Sequence, residues 1–265
     1  MSGTILALEN VTVRFGGLAA VEAVSFHVEP QTVHGLIGPN GAGKTTAFNL
    51  ISGLGHQSDG HIRFDGERID DWPSWRRAQR GLGRTFQNIR MFGEMTALEN
   101  VLAGMHAHVG GGLGAALLRL QSFRAAERAA ILKAREILAF VGLADPSARA
   151  GNLPYGDQRR LEIARALASD PKLMLLDEPA AGMNPSETSG LIELLLRLKA
   201  RGVTLLLVEH DMHFIMHLCD RITVLNFGRK IAEGTPLEVR SDPKVIEAYL
   251  GTKVAERLEA GARVR

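Results

Sequence analysis

Val33-His34-Gly35-Leu36-Ile37-Gly38-Pro39-Asn40-Gly41-Ala42-Gly43-Lys44-Thr45-Thr46 is the stretch that decides the fold. A short apolar run, Val33 to Ile37, ends at Gly38, and a helical pattern starts at Lys44. Between them, residues 38–45 match G-x-x-x-x-G-K-[ST], a pattern that needs a strand before it and a helix after it. Glycines allow the backbone to fold around an anion with its N–H groups pointing inward. The helix N-terminus adds roughly half a positive charge facing the same point. Lys44 is placed to reach the β- and γ-phosphates of a nucleotide, and the Thr45 hydroxyl to coordinate Mg²⁺. The candidate nucleotide-binding residues here are Gly38, Pro39, Asn40, Gly41, Ala42, Gly43, Lys44, Thr45 and Thr46.

A second element stands far downstream. Leu173-Met174-Leu175-Leu176 is an uninterrupted apolar run, as expected of a strand covered on both faces, and it ends in Asp177-Glu178. In an open parallel sheet, ligands bind beyond the strand C-termini. Asp177 is therefore a candidate metal residue, acting through a water, and Glu178 a candidate general base for an attacking water.

The remaining pattern supplies the framework. Val24, Phe26 and Val28 alternate with polar or small residues, as in a half-buried strand. Ile62 and Phe64 lead into an Asp65-Gly66 turn, and Val203 to Val208 reads as another buried strand. Thr96 and Glu99 have capping-box spacing, and Phe123 to Phe140 reads as a helix. Asn184-Pro185 with Glu187 reads as a helix start. Alternating strands and helices predict an α/β fold with a mostly parallel sheet. Residues 88–168 show almost no strand signal, which predicts a helical subdomain inserted into that sheet. The expected organisation is one domain over 1–265. Residues 1–87 with 169–250 form the nucleotide-binding core and an N-terminal antiparallel β-subdomain, 88–168 the helical part and 251–265 a tail.

Composition narrows the function classes. The chain has 265 residues, 31 Lys plus Arg against 29 Asp plus Glu, and a formal charge of +2, which is no nucleic-acid footprint. A single cysteine, Cys219, excludes an intrachain disulfide and a multi-cysteine metal site. Met1 to Leu8 lacks the basic and apolar regions of a signal peptide. Residues 100–118 carry no formal charge but five glycines, too polar and flexible for a membrane span, so they read as a helix end and a glycine linker. The expectation is a chain soluble by itself. Arg76, Arg77, Arg80 and Arg84, near Trp72 and Trp75, read as a solvated basic face. His106 and His108 are read as no metal site.

With these elements placed, the chain resembles the ATP-binding subunit of ABC transporters along nearly its whole length. The matching residues are the phosphate loop at 38–45, Gln87 in Thr85-Phe86-Gln87-Asn88, Leu153-Pro154-Tyr155-Gly156-Asp157-Gln158, Leu-Asp-Glu-Pro at 176–179, Ala181-Gly182-Met183-Asn184, and His210 in Val208-Glu209-His210-Asp211. Within that family, residues 153–167, 178–185, 209–212, 231–236 and 245–251, with Asn-Ile-Arg-Met-Phe at 88–92, are similar to the ATPase of branched-chain amino-acid importers. Importers of urea or short amides share much of this.

The resemblance implies a P-loop ATPase with ATP and Mg²⁺ as ligands. It implies catalytic roles for Glu178, His210, Lys44 and Gln87, with Thr45, Gln87 and Asp177 at the metal. It implies that Phe15 stacks on adenine and that Gly156 presents its N–H to a nucleotide held by a second subunit. The implied partners are that second ATPase subunit, paralogous or identical, in a head-to-tail dimer, membrane permease subunits and, indirectly, a solute-binding protein outside the membrane. The implied location is peripheral, on the cytoplasmic face of the cell membrane, and nucleic acid is not an expected partner. Alternatives are transport of another solute, or a non-transport ATPase switch. Two positions depart from the family pattern. Pro154 stands where a serine hydroxyl is usual, and Asn184 where an aspartate is usual.

Overall fold

The computed structural model describes residues 3–87, 89–105 and 121–250. The chain opens with a hairpin of β1 (Leu6–Phe15) and β2 (Leu18–Val28). Then come β3 (Val33–Ile37), α1 (Lys44–Ser52), β4 (Asp59–Phe64), β5 (Glu67–Arg68), α2 (Ser74–Gln79) and β6 (Leu82–Arg84). Helices α3 (Ala97–Gly104), α4 (Gln121–Val141) and α5 (Tyr155–Leu167) follow. The last part alternates: β7 (Leu173–Asp177), α6 (Pro185–Ala200), β8 (Thr204–Val208), α7 (Met212–Leu218), β9 (Arg221–Asn226), β10 (Arg229–Gly234), α8 (Pro236–Ser241) and α9 (Pro243–Leu250).

Two sheets result. One is antiparallel, in the order β2-β1-β4-β5. The other runs β10-β9-β3-β8-β7-β6 and is parallel except for the β9–β10 edge. The expected α/β fold, with a mostly parallel sheet and an N-terminal antiparallel sheet, is thus observed. In β3, β7 and β8 every position is buried. Their side chains alternate between two cores. Ile37, Met174, Leu176, Leu205 and Leu207 enter the cluster on the helical side. Leu36, Leu173, Leu175, Leu206 and Val208 enter the cluster under the antiparallel sheet. Period-two alternation with apolar residues on both faces is what makes these runs continuous in sequence.

Capping boxes form at Thr96–Glu99 on α3 and Asn184–Glu187 on α6, as the spacing requires, and a further one at Thr235–Glu238 on α8. Asn184 thereby has a local use: its side-chain oxygen accepts from the Glu187 N–H at 3.0 Å. The helix expected at Phe123 to Phe140 is α4. The expected glycine linker, with His106 and His108, lies largely outside the described residues, as do Asn88 and the 251–265 tail. None of the described helices is long and apolar enough to cross a membrane.

The reading of the arginine cluster is corrected. Arg77 is 1 % exposed, and its guanidinium donates to the carbonyls of Ile51 (2.9 Å), Ile69 (2.7 Å) and Trp72 (2.9 Å), among others. It ties α1 to the segment before α2. Arg84 is also inside, against Asp177. Only Arg76 and Arg80 lie on the surface, their guanidinium groups 4.2 and 5.5 Å from the Trp72 ring centre. Strand β6 has no apolar run to announce it; Gly83 lies there because a Cβ would come within 3.2 Å of Pro171.

Candidate nucleotide site

The site gathers at the C-terminal ends of β3, β7, β8 and β6, where a parallel sheet leaves backbone groups and loops open to a ligand. The loop after β3 turns on Gly41 (φ +79°) and Gly43 (φ +100°). A Cβ on Gly43 would lie 2.6 Å from the Ala20 carbonyl oxygen, so only glycine lets the loop pass so close to β2. Lys44, 6 % exposed, curls back and donates to the carbonyls of Gly38 (2.7 Å) and Pro39 (2.9 Å). Burial holds its ammonium below the usual lysine range, against the opposing pull of Glu178 and Asp177.

Glu178 follows β7 with φ +48°, a conformation uncommon for a residue with a side chain. Its N–H donates to the Val208 carbonyl at 2.9 Å. Its carboxylate accepts from Gln87 Nε2 at 2.9 Å and from His210 Nε2 at 2.7 Å. An ionised carboxylate only accepts, so Nε2 carries the imidazole hydrogen. Gln87, Glu178 and His210, distant in sequence, therefore meet as one hydrogen-bonded group.

These three line a cleft of about 510 Å³ with Asn40, Gly41, Ala42, Gly43, Lys44, Thr45 and Thr46. That volume suits a small-molecule ligand. Leu18, Ala20 and Phe227 form its rim. Pro39 lines a neighbouring cleft instead. Phe15 is not among the lining residues; it is 66 % exposed at the end of β1, opposite Leu18, which is. Asp177 lies beneath the cleft rather than at its surface. Arg84 Nη2 stands 3.3 Å from it, and burial raises its carboxyl above the usual range against that arginine.

Glu209 is a residue that sequence reading passes over. It is buried, with its carboxylate accepting from the N–H groups of Ala180 (2.8 Å) and His210 (3.0 Å). It fastens the turn after Glu178 to the His210 segment, and burial pushes its pKa up. Its position directly after the buried strand β8 is the one signal the sequence offers. Phe227, at the tip of the β9–β10 hairpin with φ +44°, has none.

The residues fit a nucleotide and its cation. Backbone curvature at Gly41 and Gly43 and the cationic Lys44 suit a polyphosphate. Thr45 and Gln87 bring side-chain oxygens to the cleft, and Asp177 beneath it would act through a water, an oxygen set that a hard divalent ion such as Mg²⁺ takes. The family profile described as "ABC transporter" matches residues 21–181, more than half of the chain. The chain belongs to the ABC transporter family.

A further profile, of the branched-chain amino acid ATP-binding cassette transporter, matches residues 229–255 of this ABC chain. The high-affinity branched-chain amino acid transport ATP-binding protein BraF of Pseudomonas aeruginosa is 48 % identical over 253 residues, covering 95 % of this chain and 99 % of BraF. The ADP conformation of MJ1267, an ATP-binding cassette of an ABC transporter, superposes with a TM-score of 0.81 at 34 % identity, covering 94 % of this chain and all of that one. Dimeric MJ0796, a bacterial ABC transporter cassette, gives 0.73 at 25 % identity, covering 87 % and 98 %.

The residues that the ABC resemblance places on a partner's nucleotide lie apart from this chain's own cleft. Pro154 is the N-cap of α5 and offers no side-chain cap. Gly156 is buried in the first turn, where a Cβ would lie 2.9 Å from Glu187 Oε1. Glu187 belongs to the capping box of α6, so the two helix starts touch.

Proposed function

We propose that this chain is the ATP-hydrolysing subunit of an importer of branched-chain amino acids, with ATP and Mg²⁺ as its ligands. The observation that carries the hydrolytic reading is Glu178, bonded to both Gln87 and His210 and facing Lys44 across one cleft. Glu178 is placed to take a proton from water, and Gln87 and His210 hold its carboxylate in orientation. Lys44 and the loop N–H groups bind the polyphosphate. Mg²⁺, when bound through Thr45, Gln87 and Asp177, would offset phosphate charge. Phe15, beside Leu18 at the rim, is assigned to the adenine ring. The solute assignment is supported by BraF, which matches over nearly all of both chains.

The working form is a head-to-tail pair of ATPase subunits in which Gly156 of each meets the other's nucleotide. Dimeric MJ0796 supports the pairing. The pair docks on membrane permease subunits at the cytoplasmic face, which receive solute from a binding protein on the other side. A groove of about 520 Å³, bounded by Leu82, Arg90, Phe92, Gly104 and Arg165, is the docking candidate. Phe92 in its wall is exposed, and so is Met95 three residues on, as partner-facing residues should be. Met91, next to Phe92 in the chain, instead packs partly against the core.

The test is to purify the complex that copurifies with this chain and measure ATP turnover with candidate solutes. Stimulation by leucine, isoleucine or valine with its binding protein supports the reading. Stimulation by urea or a short amide alone moves the solute but keeps the machine. A chain that copurifies with no membrane subunit, and whose ATP turnover no solute changes, rejects the transport role.

A further inference from the structure

Arg159 lies on α5, 3 % exposed, within the same helix that presents Gly156. Its guanidinium donates Nη1–H to the Phe86 carbonyl (3.0 Å) and to Glu162 (3.2 Å). Nη2–H donates to the Gln87 carbonyl (2.6 Å) and to the Tyr155 hydroxyl oxygen (3.1 Å). Glu162, also buried, accepts from the Phe86 N–H at 3.2 Å. Three hydrogen bonds from α5 therefore clamp the backbone of Phe86 and Gln87.

The Tyr155 hydroxyl donates onward to the Ala181 carbonyl at 3.0 Å, and its ring lies against Gly182. The Ala181 N–H in turn donates to the Glu178 carbonyl at 3.1 Å. Gln87 Nε2 closes the circuit on the Glu178 carboxylate. The path Glu178–Gln87–Arg159–Tyr155–Ala181–Glu178 is thus a ring of hydrogen bonds, with α5 as one side and the hydrolytic carboxylate as the other.

We propose that Arg159, working with Tyr155, is a positioning residue that sets the placement of Gln87 and Glu178 from the position of α5, so that engagement of Gly156 is relayed to this chain's own hydrolytic site. The proposal rests on the ATP-hydrolysis reading above. The physical reason is the cost of release. Glu162 and the Tyr155 hydroxyl travel with α5, so a shift of α5 alone would break the Arg159 bonds to the Phe86 and Gln87 carbonyls and leave buried donors and acceptors unmatched; Phe86, Gln87 and the turn after Glu178 therefore move with α5. Lysine cannot substitute, because a single ammonium does not span the acceptors that the planar fork reaches.

The test uses Tyr155→Phe, Arg159→Gln and Arg159→Lys in the full chain, alone and in the complex that copurifies with it. Single-turnover ATP hydrolysis keeps slow variants readable. Tyr155→Phe removes one oxygen from a partly exposed side chain, so it is informative even if the arginine variants fail to fold. Its expected effect is a roughly 5-fold lower kcat, the low end for the two hydrogen bonds the hydroxyl makes, with KM and nucleotide affinity unchanged within about 2-fold. Arg159→Gln and Arg159→Lys should each lose at least about 10-fold in kcat with the same unchanged affinity.

A purely structural role would lower kcat equally in any background. A role exercised through Gln87 predicts that the losses shrink to under about 2-fold when Gln87→Ala is already present. Equal losses in both backgrounds, or a folded Tyr155→Phe with full kcat, overturn the relay. A Glu178→Gln control with undiminished turnover overturns the hydrolysis reading itself. Loss in that control beside full kcat in Tyr155→Phe overturns the relay alone.

Discussion

Glu178 and His210 meet at 2.7 Å across the C-terminal ends of two adjacent parallel strands. The contact depends on the positive φ of Glu178 and on Glu209, which binds the Ala180 and His210 amides from below. Replacing Glu178 by glutamine preserves shape and hydrogen bonding but removes the proton acceptor. ATP affinity should stay near the parent value, while turnover falls at least about 100-fold. Lys44→Ala should lose affinity instead. Nucleotide binding and single-turnover hydrolysis of both variants check the assignment, and parent-rate turnover by Glu178→Gln rejects it.

In a heteromeric pair whose other subunit keeps serine at the matching position, Pro154 should make the two sites unequal. It has neither hydroxyl nor N–H to give to a partner's γ-phosphate, where a charge-assisted bond is worth roughly 1.5–3 kcal/mol, or about 10–150-fold. If the partner subunit keeps serine there, the site built on this chain's Lys44, Glu178 and His210 is the stronger. Disabling Glu178 should then cost more ATPase activity than disabling its counterpart. Equal losses, or the reverse order, would remove Pro154 as the cause.

Phe92, half-exposed beside the groove, has the Arg165 guanidinium 5.6 Å from its ring centre. A carboxylate at this position should leave nucleotide binding intact while abolishing ATP-driven uptake. Unaltered uptake by Phe92→Glu in a folded complex would show that the segment does not carry coupling.

His34, 1 % exposed in β3, gives the fold an acid limit. Burial lowers its pKa from 6.5 to about 4, with Glu233 opposing and Arg221, His27 and Lys230 adding to the fall. Its Nε2 hydrogen-bonds Thr223 Oγ1 at 2.9 Å. The unfolded chain takes up the proton below pH 6.5 and the folded one only near pH 4. This contribution is therefore complete above pH 6.5 and drains away as pH falls toward 4, to a total of about 3 kcal/mol. Denaturant titrations at pH 7, 5.5 and 4 should show a flatter pH dependence for His34→Gln. An equal slope in variant and parent would assign the acid sensitivity to other groups.

Residues 38–45 and 173–178 are legible in the sequence because their signals are local. A glycine-bounded loop needs its spacing in one stretch, and a strand buried on both faces shows as a nearly continuous apolar run. The capping boxes at Thr96 and Asn184 are legible for the same reason. Gln87 and His210 stand differently. The sequence identifies them through family resemblance, and only the parallel ordering of β6, β7 and β8 brings them to Glu178.

What the sequence by itself determined is therefore the α/β class, the glycine-bounded loop between β3 and α1, and which residues are candidates for the site. Tertiary structure alone decided which charged residues are interior. Arg77, Arg84, Arg159, Glu162 and Glu209 read as ordinary polar positions on helices and loops, yet each is buried or nearly so. Their burial is supported by acceptors and donors from segments remote in the chain: backbone carbonyls for Arg77, Asp177 for Arg84, Phe86 and Gln87 for Arg159. A buried charge is stable only where such partners converge, and convergence is a property of three-dimensional packing that no local pattern encodes.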